Sequence, residues 1–159
     1  MKLLLVYQKT SLADLTTVWK SVTLIEIEIA KGAIMGIDIY MKWENQSQED
    51  KEKQYTGYSI ESGHVGYLRE AYHGHTFATR YLVEEAFAND APDEGVAIPC
   101  NVLRERLPET LKLHIQRHKE TYGEDVKEDD PSAKALTNFV ELAERLTVEH
   151  KHPTIIASW

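Results

Sequence analysis

In Met35-Gly36-Ile37-Asp38-Ile39-Tyr40-Met41-Lys42-Trp43, the apolar residues Ile37, Ile39, Met41 and Trp43 alternate with Asp38, Tyr40 and Lys42. A period of two sends successive side chains to opposite sides of an extended chain, so this segment reads as a half-buried strand. The chain ends on a similar pattern, with Ile155, Ala157 and Trp159 alternating, and this last strand is expected to lie beside the first. Tyr55 to Ile60 reads as a further strand, and Val96-Ala97-Ile98 as a short extended piece.

Helical signals fill the intervals. The charged stretch from Glu44 to Gln54, with Ser47 available as an N-cap, reads as a solvated loop or a short exposed helix, and Val65, Leu68 and Tyr72 share a helical spacing that ends at Gly74. Phe77 to Phe87 reads as helical in its second half, on the strength of Leu82 to Phe87. Pro99 and Pro108 each fit a helix's first turn. The helix after Pro108 carries Leu111, Ile115, His118 and Tyr122 on one stripe and stops at Gly123. Asp130-Pro131 is an N-cap followed by an N1 proline. The long helix after it is expected to bury Leu136, Phe139, Val140, Ala143, Leu146 and His150, to set Glu141 and Arg145 as an outward pair, and to stop at Pro153. Strands at the start, middle and end with helices between imply an α+β fold, a small mostly antiparallel sheet covered on one face by three to four helices.

The chain has 159 residues, 42% hydrophobic and 28% charged, enough for one domain with a real core. No apolar run approaches the roughly 20 residues that span a bilayer. A single cysteine, Cys100, excludes an internal disulfide framework and, with the short apolar start Leu3 to Tyr7, suggests a cytoplasmic protein. A formal charge of −8 argues against general nucleic-acid binding, since the average field repels phosphate backbones. A local cluster of cations is still compatible with holding a small anion.

Residues 1–34 read differently from residues 35–159, which form the expected single globular domain. Lys31-Gly32-Ala33 is encodable by codons that spell a purine-rich ribosome-binding site just ahead of Met35. One expectation is therefore a functional start at Met35. The other is an ordinary prelude of strand (Leu3 to Tyr7), helix (Leu12 to Val22) and strand (Leu24 to Ile29).

The densest concentration of chemistry lies between His64 and Arg80, where His64, Arg69, Tyr72, His73, His75 and Arg80 occur with glycines at 63, 66 and 74. Arginine presents a planar fork to carboxylate or phosphate, and histidine titrates near neutrality, so an anion-binding corner is one reading. Ordinary capping groups on a helix are the other. His64, His73 and His75 would be the zinc ligands of a metal-dependent hydrolase, a weaker alternative because no HExxH or paired CxxC is present. His114 and His118, four apart, read as a solvated helix flank, and His150 and His152 as cations closing the last helix. Cys100, after Pro99, suits a helix's first turn as a packed thiol, and no GxSxG, GxxxxGK[ST] or GxGxxG occurs.

Met35-Gly36-Ile37-Asp38-Ile39-Tyr40, Gly63-His64-Val65-Gly66-Tyr67-Leu68-Arg69-Glu70-Ala71-Tyr72-His73-Gly74 and Leu103-Arg104-Glu105-Arg106-Leu107-Pro108-Glu109-Thr110 resemble a group of small bacterial and phage proteins that begin on a similar Met-Gly-Ile-Asp-Ile-Tyr strand. The resemblance spans Met35 to Trp159 and implies an accessory protein, with no activity and no catalytic residue to transfer. The functional expectation is thus a non-enzymatic, oligomeric binding protein whose His/Arg segment holds a small anionic, nucleotide-like ligand or a protein partner. A purely structural domain is the remaining alternative.

Overall fold

The computed structural model describes residues 36–56, 62–71, 77–89 and 93–159, and Gly36–Trp159 forms one compact unit. The two strands and the helix expected within residues 1–34, the piece 57–60 and Gly74 lie outside the described residues. Strand β1 (Gly36–Lys42) is central, flanked antiparallel by β2 (Tyr67–Ala71) and β3 (Thr154–Ser158), in the order β2-β1-β3. The C-terminal strand thus pairs with β1 as expected, but without the expected alternation: Ile155, Ile156 and Ala157 are all buried, and Trp159 lies beyond the strand and is exposed. Helices α1 (Gln48–Thr56), α2 (Ala78–Leu82), α3 (Glu84–Phe87), α4 (Cys100–Tyr122) and α5 (Pro131–Val148) complete an α+β fold, with a 3-10 turn at Ser62–Val65.

Alternation in β1 becomes alternation in burial: Ile37, Ile39 and Met41 are buried while Asp38 and Tyr40 are only partly covered. Register aligns Ile39 with Leu68 and Ala157, and Met41 with Ile155, in one apolar layer. Leu136, Phe139, Val140, Ala143 and Leu146 of α5, with Leu103 and Leu107 of α4, close that layer. Each fully buried aliphatic side chain is worth about 1.5–3 kcal/mol. Asp130 caps α5 as its sequence promised, accepting from the Ser132 amide at 2.9 Å, with Pro131 at N1. None of the helices among the described residues is long and apolar enough to cross a membrane.

Several local expectations are corrected. Residues Tyr67–Ala71 are a strand, not part of a helix through Tyr72. Tyr67, Leu68 and Glu70 are all buried, so β2 lacks the clean alternation that identifies a strand. Tyr55 and Thr56 end α1 instead of opening a strand. Pro99 is the N-cap of α4 and Pro108 lies inside that helix, which runs unbroken for 23 residues. An interior proline costs one backbone bond and about 3 kcal/mol, here set against the burial of Leu103, Leu107 and Thr110. The buried side of α4 is Leu103, Leu107, Thr110 and Arg117, while Tyr122 is exposed, so the stripe through Leu111, Ile115 and His118 is rotated from the true one. Helix α5 ends at Val148, ahead of Pro153, so His150 lies beyond it and is exposed instead of completing its buried face, and no ion pair within 4 Å joins Glu141 to Arg145 among the described residues. Only Val96 of the segment 96–98 pairs, as a bridge to Ile155.

Candidate functional site

Where β1 runs out, Trp43 follows it and packs against the core. After a tight turn, Ser47 opens α1 with a reciprocal cap. Its hydroxyl accepts from the Asp50 amide at 3.0 Å, and the Asp50 carboxylate accepts from the same hydroxyl at 2.7 Å and from the Ser47 amide at 3.2 Å. These bonds, then Lys53 and Lys151, hold the Asp50 carboxyl below the ordinary aspartate range despite some opposing burial. One turn on, Lys53 pairs with Glu49 at 2.7 Å.

The last turn of α1 supplies Gln54, 95% buried by its 5% exposure. Its Nε2 donates to the carbonyls of Met41 at 2.7 Å and Val65 at 2.9 Å, with Gly66 at 3.3 Å. One side chain therefore ties α1, the end of β1 and the turn before β2. That turn is pressed onto α5: a Cβ on Gly63 would lie 1.7 Å from the Ala135 carbonyl oxygen. Gly66 is left-handed at φ +80°, and its carbonyl accepts from the Met41 amide at 2.8 Å. His64, exposed between these two fixed glycines, is held at a set place against α1 and α5.

Trp43, Asp50, Lys53, His64, Val65 and Arg145 line a cleft of about 160 Å³. That is below the roughly 300–1,000 Å³ of a drug-sized ligand pocket. It suits a single oxyanion, such as one phosphate, or the head of a larger ligand. Lys53, His64 and Arg145 bring cationic or N–H donors, Trp43 brings an aromatic ring, and the one carboxylate is already engaged by Ser47.

A second polar centre lies beneath α4. Glu70 and Arg117, each 8% exposed, pair at 3.0 Å. Glu70 also accepts from the Ala78 amide at 3.0 Å, the Thr79 amide at 2.9 Å and the Thr79 hydroxyl at 2.6 Å. Arg117 donates to the Ala71 carbonyl and sits 4.5 Å from the centre of the Phe77 ring. Beside it, His114 Nε2 is 2.8 Å from Ser132 Oγ, which itself donates to Asp130 at 2.7 Å. The serine proton is thereby committed to the carboxylate, and His114 Nε2–H is the donor to Ser132. Burial pushes His114 below the ordinary histidine value. Glu70 and Asp130 oppose that shift, while His118 and Arg117 reinforce it. His118 stacks near Tyr122 with ring centres 4.7 Å apart. The expectation of a solvated flank is therefore corrected for His114, which is lodged between α4 and the start of α5.

On the opposite side of the sheet, Arg69 stands across from Asp38, with Nε 3.8 Å from its carboxylate. The Tyr67 hydroxyl donates to the same oxygen at 2.6 Å. Burial, then that bond, raises the phenol further above its usual range, so Tyr67 acts as a fixed donor at neutral pH.

Of the six sequence candidates, His64 lines the cleft, Arg69 pairs across β1 at its other end, and Arg80 is exposed on α2 with its guanidinium carbon 6.0 Å from the Phe87 ring centre. Tyr72, His73 and His75 lie outside the described residues. Cys100 is the first residue of α4, partly covered. Among the described residues no three His, Cys, Asp or Glu side chains gather as metal ligands. Trp43, Lys53 and Arg145 were missed: they lie just after β1, on α1 and on α5, and no local motif links them. No protein-family model, no curated protein and no solved structure matches this chain.

Proposed function

We propose that this is a non-enzymatic binding protein that holds the phosphate head of a small, nucleotide-like anion in the cleft between Trp43, Lys53, His64 and Arg145. The observation behind it is convergence: three nitrogen-bearing side chains from α1, the 3-10 turn and α5 meet beside an indole in a chain of net charge −8. Such a cluster repays its own crowding when an oxyanion accepts from it, and charge-assisted contacts are the strong ones. A volume of about 160 Å³ matches an anionic head with the rest of the ligand outside. Asp50, taken up by the Ser47 cap, is not offered as a general base. In line with the resemblance of its strand and turn motifs, we read the role as that of a bacterial or phage accessory protein.

Isothermal calorimetry with orthophosphate, nucleotides and the matching nucleosides tests this. Saturable one-to-one binding is expected for the phosphate-bearing ligands alone. Lys53→Ala with Arg145→Ala should weaken it at least about 10-fold, since a hydrogen bond to a charged group is worth about 1.5–3 kcal/mol. Heat from nucleosides and nucleotides alike, no heat from any phosphate-bearing ligand, or equal affinity in the double variant would refute it.

A further inference from the structure

Immediately after α5 the backbone is under strain of a particular kind. The His150 amide donates to the Thr147 carbonyl at 3.0 Å and the Lys151 amide to the Leu146 carbonyl at 2.9 Å, the paired bonds of a Schellman cap. The left-handed position of that cap favours glycine, yet His150 occupies it at φ 56°, and His152 is left-handed as well at φ 43°. For an L-residue with a Cβ this conformation costs about 1–2 kcal/mol. Two histidines thus stand where glycine is cheaper, both exposed and one on each side of Lys151.

This loop adjoins the cleft. The Glu44 amide, next to Trp43, donates to the Lys151 carbonyl at 2.9 Å. Asp50 on the cleft wall feels Lys53 and Lys151 together. Arg145, the cleft's α5 residue, lies one turn ahead of the cap and also acts on Glu149. Lys151 pairs with Glu149 at 2.7 Å, but both are about two-fifths exposed, and a surface pair of this kind exchanges readily for a better anion.

Resting on the reading of the cleft as a phosphate site, we propose that His150, Lys151 and His152 form a second anion subsite beside it, so that the ligand carries a chain of linked phosphates. Glycine at positions 150 and 152 would relieve the strain but remove both imidazoles that flank Lys151 in the chain. The ligand class is then a nucleoside di- or triphosphate, or an inorganic polyphosphate, in preference to a monophosphate.

Orthophosphate and tripolyphosphate are the probes, measured by calorimetry on the full chain. The wild type should prefer tripolyphosphate by about 100-fold, as expected for one or two added charge-assisted contacts. The double variant His150→Gly with His152→Gly should melt a few degrees higher, since it relieves the left-handed strain, while its preference falls below about 10-fold at unchanged orthophosphate affinity. Lys151→Ala should compress the preference in the same direction without the gain in melting temperature. A glycine variant that keeps the full tripolyphosphate preference overturns the subsite and leaves the cleft standing. Orthophosphate affinity that survives Lys53→Ala with Arg145→Ala overturns the cleft itself.

Discussion

The His64 cleft and the Glu70–Arg117 centre hold similar side chains put to opposite uses. In the centre, Glu70 has four partners within 3.0 Å: the Arg117 guanidinium, two amides at the start of α2 and the Thr79 hydroxyl. Its charge is consumed by the fold, tying β2 to α2 and α4. In the cleft, Lys53, His64 and Arg145 come from three elements and line open space, while the carboxylate among them is turned into a helix cap. Buried charge taken up by the protein is architecture, whereas charge that lines a cavity from the surface, as Lys53 does in its exposed pair with Glu49, can be exchanged toward a ligand.

That contrast predicts effects of very different size. Glu70→Ala strands the Arg117 guanidinium in the interior and should cost about 3–5 kcal/mol in urea unfolding, the penalty for breaking a buried pair. A loss below 1 kcal/mol would mean that the centre is not structural. Gly63→Ala drives a Cβ into the Ala135 carbonyl and should cost about 1–3 kcal/mol, with weakened phosphate binding because the His64 turn must shift off α5. Unchanged binding in a folded Gly63→Ala protein would detach the turn from the site.

The pH dependence belongs to the centre. His114 is held below its unfolded value of about 6.5, so the unfolded chain binds more protons as acid is added. Its contribution is complete above pH 6.5 and falls away as pH drops from there through the lowered folded value. Glu70 and Asp130 soften the fall, and Arg117 and His118 steepen it. Urea midpoints should decline across that window, and His114→Gln should flatten the decline; an equal slope in the variant would assign it to another group. The smallest effect on stability is expected in the cleft. Arg145→Ala should change unfolding by no more than about 0.5 kcal/mol, as at ordinary surface positions, while weakening phosphate binding about 10-fold. Arg69→Ala, at the far end of β1, should leave phosphate affinity unchanged.

How far the sequence could be read follows from which residues carry a pattern. Strand β1 was legible because Ile37, Ile39 and Met41 all face the helices, and α5 because Asp130-Pro131 marks its start and one broad apolar face follows. Strand β2 was not, because burial on both sides erased its alternation and left Val65, Leu68 and Tyr72 at a helical spacing. The register of α4 failed for a related reason: Thr110 and Arg117, both polar, occupy its buried side, and pattern reading assigns such residues to solvent. Of the candidate site, His64 alone among the described candidates His64, Arg69 and Arg80 lines the cleft. Trp43, Lys53 and Arg145 span about a hundred positions of chain, and only the fold brings them together. His150 and His152 were visible as cations near a helix end, but their left-handed backbone is a property that spacing does not reveal.

Side-chain NMR during an orthophosphate titration tests the separation of cleft from centre most directly. The Trp43 indole and His64 imidazole signals should move together along one saturating curve, while those of His114 and Trp159 stay in place. Movement centred on His114, or none at Trp43 and His64 at saturating phosphate, would contradict it.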